Sequence, residues 1–206
     1  MLGAIVGDIV GSPYEFHNIK RTDFPFLTKY NRFTDDSVMT LANAKWLTED
    51  PSHSPEHLVK CMRELGRAAQ GVGYGPAFLR WLYLPDEFAL PYNSWGNGAG
   101  MRVSPVGMYA KTLEECLALA KISAEVTHNH PEGIKGAQAI ATCVFLARTS
   151  KDVFSEDTKS GQATPLMSLA KGAAHTRSGP TWKGRTSRTP FVWPFPSAAI
   201  LTQSPA

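Results

Sequence analysis

The sequence contains no aspartate or glutamate after Asp157. All 18 acidic residues and 15 of the 21 lysines and arginines lie at or before that position. Residues 158–206 hold the other six basic residues together with six prolines. A change of charge and composition this abrupt indicates two segments of different origin. We therefore predict a domain over residues 1–157 and an atypical basic, proline-rich tail over residues 158–206.

Cysteine is also scarce, with Cys61, Cys116 and Cys143 as the three examples and no C-x-x-C pair. An odd number without paired spacing predicts neither a disulfide framework nor a zinc site, and it is typical of a reducing compartment. The apolar stretch Leu2–Gly11 has no basic residues before it and contains Asp8, which argues against a signal peptide or a membrane span. We therefore expect a cytoplasmic protein without a membrane partner.

Convincing alternation of apolar and polar residues, the mark of a half-buried strand, is absent from the sequence. Helical spacing of apolar residues is common instead. We expect a buried helix over Leu2–Gly11 and further helices that begin after Thr34, Ser54, Thr112 and His130. The sequence therefore predicts an all-α fold whose chemistry is carried on the loops at helix ends.

The most informative stretch is Phe33–Ser37, which is followed by the apolar run Val38–Ala42. Thr34 is a good helix N-cap, and Asp35 and Asp36 then lie in the first turn, where the helix dipole favours anions. Two carboxylates beside a hydroxyl form a set of hard oxygen ligands that suits Mg2+ or Ca2+. The same pattern is typical of ordinary helix capping, so the residues alone leave both interpretations open.

Three other features can carry chemistry. Glu15 follows a chain reversal at Pro13 and can position water or a substrate hydroxyl beside a metal, or it can be a solvated loop acid. The glycine-rich loop Ser94–Gly98 offers backbone N–H groups that can hold a phosphate. His128 and His130 are candidates for ligands or substrate contacts. Alternatively, His130 caps the following helix and His128 packs in the core.

Taken together, these stretches resemble the ADP-ribosylglycohydrolase family. The resemblance covers about residues 1–150 and rests on four motifs in the family's order: Gly7–Glu15, Thr34–Ser37, Ser94–Arg102 and Thr127–Glu132. It implies an all-α helical domain around two Mg2+ ions. It also implies hydrolysis of the glycosidic bond between ADP-ribose and a protein side chain or small acceptor.

The family resemblance also implies roles for particular residues. Metal binding is assigned to Thr34, Asp35 and Asp36, and catalysis to Glu15 and Asp36. Substrate binding, chiefly of the diphosphate and ribose, is assigned to a further set: Ser94, Gly96, Asn97, Gly98 and His128. The implied partners are ADP-ribosylated proteins or small ADP-ribose conjugates.

The family's second metal motif, an Asp-x-Asp-Thr/Ser near the C-terminus, has no counterpart in this sequence. The genetic code offers an explanation, because a shifted reading frame through Ser197–Gln203 admits Gly-Gly-Asp-Thr-Asp-Thr-Ile. We therefore predict that residues 158–206 are out of frame and poorly ordered, and that the helical domain is incomplete at the C-terminus. Half a binuclear site should hold Mg2+ less tightly.

Two alternatives to an active hydrolase stay open. The chain can be a non-catalytic ADP-ribose or nucleotide binder that uses the Ser94–Gly98 loop, or an inactive remnant of the family. A third interpretation treats the basic tail as a nucleic-acid arm. The stretch Phe191–Pro196 carries no charge, which argues against that arm, and we expect no nucleic-acid partner.

Overall fold

The computed structural model describes residues 1–150, and these residues form seven α-helices and no strand. The helices are α1 (Leu2–Gly11), α2 (Asp35–Glu49), α3 (Pro55–Ala68), α4 (Pro76–Tyr83), α5 (Ser104–Tyr109), α6 (Leu113–Glu125) and α7 (Pro131–Thr149). The predicted all-α fold is confirmed. The predictions made for residues 158–206 lie outside the described residues.

Side chains cap several of these helices where the sequence predicts it. The Thr34 hydroxyl accepts a hydrogen bond from the Asp36 N–H, and Ser54 and Thr112 cap α3 and α6 in the same way. A cap of this kind satisfies one of the backbone donors that a helix leaves unpaired at its start. The local sequence therefore determines where these helices begin.

The helix α2 lies at the centre of the described region and packs against α1, α3 and α5. Its Met39 and Trp46 are completely buried, as are Leu58 and Met62 of α3. Burying a large apolar side chain contributes about 1.5–3 kcal/mol, so this contact fixes α2 firmly. The rigid central helix carries Asp35 and Asp36 on its first turn.

The first helix differs from its prediction. It is helical over Leu2–Gly11 as expected, but no residue of α1 is buried, and Leu2 is 77% exposed. Polar contacts tie α1 to the chain that follows it. The Asn31 side chain, for example, donates a hydrogen bond to the Ile9 carbonyl (2.7 Å). Apolar composition predicts that a helix can be buried, but it does not say which segment would cover it.

Within residues 1–150, no helix combines the length and the apolar character needed to cross a membrane.

Candidate active site

Asp8 anchors the start of α2. Its Oδ2 accepts hydrogen bonds from the Thr34 N–H (2.8 Å), the Ser37 N–H (3.2 Å) and the Ser37 hydroxyl (2.5 Å). Its Oδ1 accepts one from the Thr34 hydroxyl (2.6 Å). An anion held by N–H groups at a helix start is favoured by the helix dipole. Asp8 therefore fixes the orientation of the turn that carries Asp35 and Asp36.

The two acids of that turn lie in an unfavourable environment for negative charge. Burial, together with the smaller effects of the nearby charges of Asp8, Asp35 and Glu15, raises the pKa of Asp36 to about 7. Burial also raises the pKa of Asp35 to about 6, with Glu15 and Asp8 adding to the effect and its own backbone hydrogen bond opposing it. The structure therefore brings Glu15, Asp35 and Asp36 close enough to interact electrostatically.

Glu15 shares this environment. Burial and the charge of Asp8 raise its pKa, while Arg32 opposes them. Glu15 lies just after a 3-10 turn, Ser12–Tyr14, that continues from α1. The sequence predicts a chain reversal at Pro13, but the backbone remains helical from Gly11 to Glu15. Glu15 nevertheless lies close enough to Asp35 and Asp36 to raise their pKa values.

The side-chain oxygens of Thr34, Asp35 and Asp36 suit a hard divalent cation. Carboxylates that repel one another while partly buried are stabilised in the charged form by a cation between them. The Thr34 hydroxyl donates its proton to Asp8 and accepts one hydrogen bond from the Asp36 N–H, so one lone pair is still available. Carboxylate and hydroxyl oxygens are ligands that Mg2+ accepts. The residues present therefore fit Mg2+.

A glycine-rich loop after α3 closes around Asp35. The Val72 carbonyl accepts the Asp35 N–H (3.1 Å), and Gly73 has a positive φ of 104°. A Cβ on Gly73 would lie 3.5 Å from Asp35 Oδ1. Burial, followed by the charge of Asp35, raises the pKa of Tyr74 to about 12. The sequence shows this loop but gives it no role, because its contact with α2 depends on the tertiary fold.

The second glycine-rich loop, Ser94–Gly98, folds against the start of α7, where a Cβ on Gly133 would lie 2.9 Å from the Ser94 carbonyl oxygen. The Ser94 N–H donates to the Thr127 carbonyl (3.4 Å), and the Ser94 hydroxyl accepts the Gly96 N–H (3.3 Å). Residues Asn97–Ala99 then form a single 3-10 turn. The loop is therefore tied to Thr127 at Ser94 and stabilised by a hydrogen bond within itself, while Trp95 is 46% exposed.

His128 lies beneath this loop. It is 4% exposed, and a Cβ on Gly98 would lie only 2.8 Å from its Cε1 atom. Burial, together with the smaller effect of the positive charge of Arg102, lowers the pKa of His128 to about 3. The imidazole is therefore neutral. Its Nδ1 lies 2.8 Å from the Thr127 hydroxyl. The structure places His128 in the packing under Gly98, and its contact with substrate stays a prediction.

His130 serves as a cap. Its Nδ1 accepts the Glu132 N–H (3.1 Å) at the start of α7. Its ring also lies 6.2 Å from that of Trp95. Of the two interpretations that the sequence leaves open, the structure shows the capping one for this histidine.

The helix α2 connects the acidic cluster with the second loop. The Thr40 hydroxyl donates to the Met101 carbonyl (3.3 Å), immediately after the turn at Asn97–Ala99. Asp36 and Thr40 are four residues apart and therefore lie on one face of α2. The carboxylate of Asp36 and the chain that follows the loop thus lie on the same side of this helix.

The described residues thus form an all-α domain with an acidic cluster at a helix start and a glycine-rich loop beside it. Comparison with known proteins assigns the family. The chain belongs to the ADP-ribosylglycohydrolase family, whose model matches residues 1–185. The predicted resemblance is confirmed. The matched range passes the boundary that the charge distribution predicts at residue 157, and that boundary stays a prediction.

Curated relatives of this chain carry the name ADP-ribosylhydrolase ARH3. The mouse protein (Mus musculus) is 25% identical over 175 residues, which cover 71% of this chain and 47% of the relative. The chicken protein (Gallus gallus) is 26% identical over 192 residues, which cover 76% of this chain and 52% of the relative. The human protein (Homo sapiens) is 26% identical over 175 residues, which cover 71% of this chain and 48% of the relative. The chain spans about half the length of the curated relatives it matches.

Proposed function

We propose that this chain is a Mg2+-dependent hydrolase that cleaves the glycosidic bond between ADP-ribose and a protein side chain or small acceptor. The observation that carries the proposal is the partly buried cluster of Glu15, Asp35 and Asp36 at the start of α2, in which each carboxylate has a raised pKa. Such clusters of perturbed acids are a feature of active sites. Membership of the ADP-ribosylglycohydrolase family supports the same chemistry.

Thr34, Asp35 and Asp36 are the residues that would hold Mg2+. When bound, the ion supplies positive charge that polarises substrate oxygens and favours ionised water. Asp8 keeps these ligands in place through its bonds to Thr34 and Ser37. Binding of the cation requires the carboxylates to be ionised, and the cation in turn compensates the repulsion between them.

Catalysis is assigned to Glu15 and Asp36. A group that accepts or donates a proton during catalysis works best when its pKa lies near the working pH. Burial and the charge of Asp8 move the pKa of Glu15 upwards in that direction. In this proposal, the Glu15 carboxylate holds or accepts a proton near the scissile bond, while Asp36 acts as a metal ligand and orients the attacking water.

Substrate binding is assigned to the Ser94–Gly98 loop. Ser94, Gly96, Asn97 and Gly98 would offer backbone N–H groups and polar side chains to the diphosphate and ribose. His128 supports the loop from below as a neutral ring against Gly98. The substrates are ADP-ribosylated proteins or small ADP-ribose conjugates. A cytoplasmic location is part of the proposal, and all three cysteines are free in agreement with it.

A second candidate function is a non-catalytic ADP-ribose binder. It is favoured by one observation. No acidic residue follows Asp157, so this sequence does not contain the family's second metal motif, Asp-x-Asp. A binder would retain the Ser94–Gly98 loop and would bind ADP-ribose equally well with and without Mg2+. It would release no product.

The experiment is a chromatographic assay of free ADP-ribose released from peptides that carry it on serine or arginine. The hydrolase predicts release that requires Mg2+, stops with chelator and falls at least about a hundredfold in Asp36→Asn. The exposed Asp23→Asn is the matched control and should keep full activity. Binding of ADP-ribose without release would establish the binder. A chain that shows no binding and no release would contradict both functions.

A further inference from the structure

A second group of metal-ligating side chains lies away from the acidic cluster, where α2 ends and α3 begins. It consists of Glu49 on α2 and His57 and Cys61 on α3. One ligand atom from each side chain lies within 4.8 Å of the other two. The three residues offer a carboxylate oxygen, an imidazole nitrogen and a sulfur.

The local fold brings these residues together. His57 and Cys61 are four residues apart on α3 and therefore lie on the same face. Glu49 is the last residue of α2, and the turn that follows is fixed by Asp50. The Asp50 carboxylate accepts hydrogen bonds from the Ser54 N–H and the Ser54 hydroxyl, both at 2.7 Å. The spacing between the three side chains is thus set by a well-defined connection between the two helices.

The group has an unsatisfied polar atom. His57 Nε2 is buried and has no hydrogen-bond partner. Glu49 Oε2 lies 3.6 Å from it, just beyond hydrogen-bond distance. Cys61 is 1% exposed. A buried nitrogen without a partner costs about 1–3 kcal/mol, and a cation between these atoms would satisfy it.

The separations are close to those of a tetrahedral site. Bonds of about 2.0–2.3 Å to nitrogen, oxygen and sulfur place neighbouring ligand atoms about 3.3–3.8 Å apart. The distance of 3.6 Å between Glu49 Oε2 and His57 Nε2 already falls in that range. The two separations that involve the Cys61 sulfur are at most 4.8 Å, so side-chain movements of about 1 Å would bring all three ligand atoms into this geometry.

We propose that Glu49, His57 and Cys61 form a Zn2+ site. Mixed oxygen, nitrogen and sulfur ligands are preferred by Zn2+, whereas Mg2+ takes oxygen ligands. On binding, the Cys61 thiol releases its proton to solvent, and the resulting thiolate donates an electron pair to the ion. No electron transfer takes place. Three protein ligands leave the fourth position to water.

Lys45 modulates this site. Its Nζ lies 2.8 Å from Glu64 and 3.9 Å from Glu49. Its positive charge also interacts electrostatically with Cys61. Lys45 can keep its contact with Glu64 while a metal takes the Glu49 carboxylate. Its charge repels the ion, so Lys45→Met should bind Zn2+ more tightly.

The proposed site acts as a clamp between α2 and α3. Asp35 and Glu49 are the first and last residues of the 15-residue α2, so their Cα atoms are about 21 Å apart. The Zn2+ site is therefore separate from the acidic cluster and does not depend on the proposed hydrolysis. Because the three ligands are brought together by folding, Zn2+ should stabilise the folded chain.

The experiment uses the full 206-residue chain and Co2+ as a spectroscopic substitute for Zn2+. We expect one equivalent of Co2+ to give the near-ultraviolet charge-transfer band of a cobalt–thiolate bond, and Zn2+ to displace it. Cys61→Ser should abolish the band. Cys116→Ser, which removes another buried thiol, is the matched control and should keep it.

A surface variant covers the case in which Cys61→Ser fails to fold. Glu49→Gln leaves the core intact and should weaken Zn2+ binding at least about tenfold. Glu56→Gln, an exposed acid in the first turn of α3, is its control and should bind as the original chain does. Absence of the band in the original chain, its persistence in Cys61→Ser, or equal affinity in Glu49→Gln and Glu56→Gln would overturn the proposal.

Discussion

The carboxylate of Asp8 lies 2.5 Å from the hydroxyl of Ser37, although the two residues are 29 positions apart in the chain. Asp8 also accepts both the backbone N–H and the hydroxyl hydrogen of Thr34. Its negative charge is therefore used to hold the first turn of α2. Asp8 is a positioning residue for the acidic cluster, a role that the sequence alone did not assign to it.

Replacing Asp8 with asparagine should destabilise the chain. The amide nitrogen would place a hydrogen-bond donor where Thr34 and Ser37 already donate, and the charge that complements the helix dipole would be lost. We expect a loss of about 2–3 kcal/mol in the free energy of unfolding, measured by denaturant titration. Asp23→Asn, whose side chain is 83% exposed, should change it by less than about 0.5 kcal/mol. Equal effects would contradict the role of Asp8.

Two glycines of the second loop should respond differently to alanine. A Cβ on Gly98 would lie 2.8 Å from His128 Cε1, whereas on Gly96 its nearest contact would be Ser94 Oγ at 3.5 Å. Because the His128 ring is buried and has little room to move, Gly98→Ala should cost about 1–3 kcal/mol. Gly96→Ala should be nearly neutral. Thermal unfolding of both variants tests the difference, and matched melting temperatures would show that His128 does not support the loop.

The stability of the metal-free protein should depend on Asp36 ionisation. The folded pKa of Asp36, about 7, lies above its ordinary value of 3.8, so the folded state binds the proton more tightly than the unfolded state. Asp36 therefore lowers the free energy of unfolding least at low pH, and it lowers it more as the pH rises from 3.8 to about 7.

Asp36→Asn removes this ionisation and isolates its effect. In the presence of chelator, the variant should become progressively more stable than the original chain across that pH interval, by about 1.4 kcal/mol for each unit of pKa shift. Above pH 7 the difference should be constant. Denaturant titrations at a series of pH values measure it, and a difference that does not vary with pH would show that Asp36 is not held in an unfavourable environment.

The gene offers a test of the predicted frame change. We expect the nucleotides that encode Ser197–Ser204, read from the third base of the first codon, to encode Gly-Gly-Asp-Thr-Asp-Thr-Ile. Sequencing the gene decides the matter directly. Codons in the shifted frame that give no Asp-x-Asp motif would rule out this account of the acid-free segment.

Local signals in the sequence predicted much of the helical structure. The N-caps at Thr34, Ser54 and Thr112 were predicted correctly because each depends on residues within three positions. The exposure of α1 was not predicted, since burial depends on what lies opposite a helix. The capping of α2 by Asp8 was also missed, because nothing in the chain near Asp8 indicates a partner 29 residues away.

The candidate site was predicted unevenly for the same reason. The Asp35–Asp36 pair was predicted because its two residues are adjacent and follow the helix cap Thr34. The structure places Glu15 close enough to interact electrostatically with both. The group formed by Glu49, His57 and Cys61 could not be anticipated. Its members come from two helices, and the positions of those helices are set by core packing.

The most direct test of the central claim is calorimetric titration of ADP-ribose into the full chain, with Mg2+ and with chelator, at a pH above 7, where Asp36 is ionised even without metal. The proposed site predicts at least about tenfold tighter binding with Mg2+, no such gain in Asp36→Asn, and the full gain in Asp23→Asn. The same affinity with and without Mg2+ in the original chain, or an undiminished gain in Asp36→Asn, would contradict a magnesium site at the start of α2.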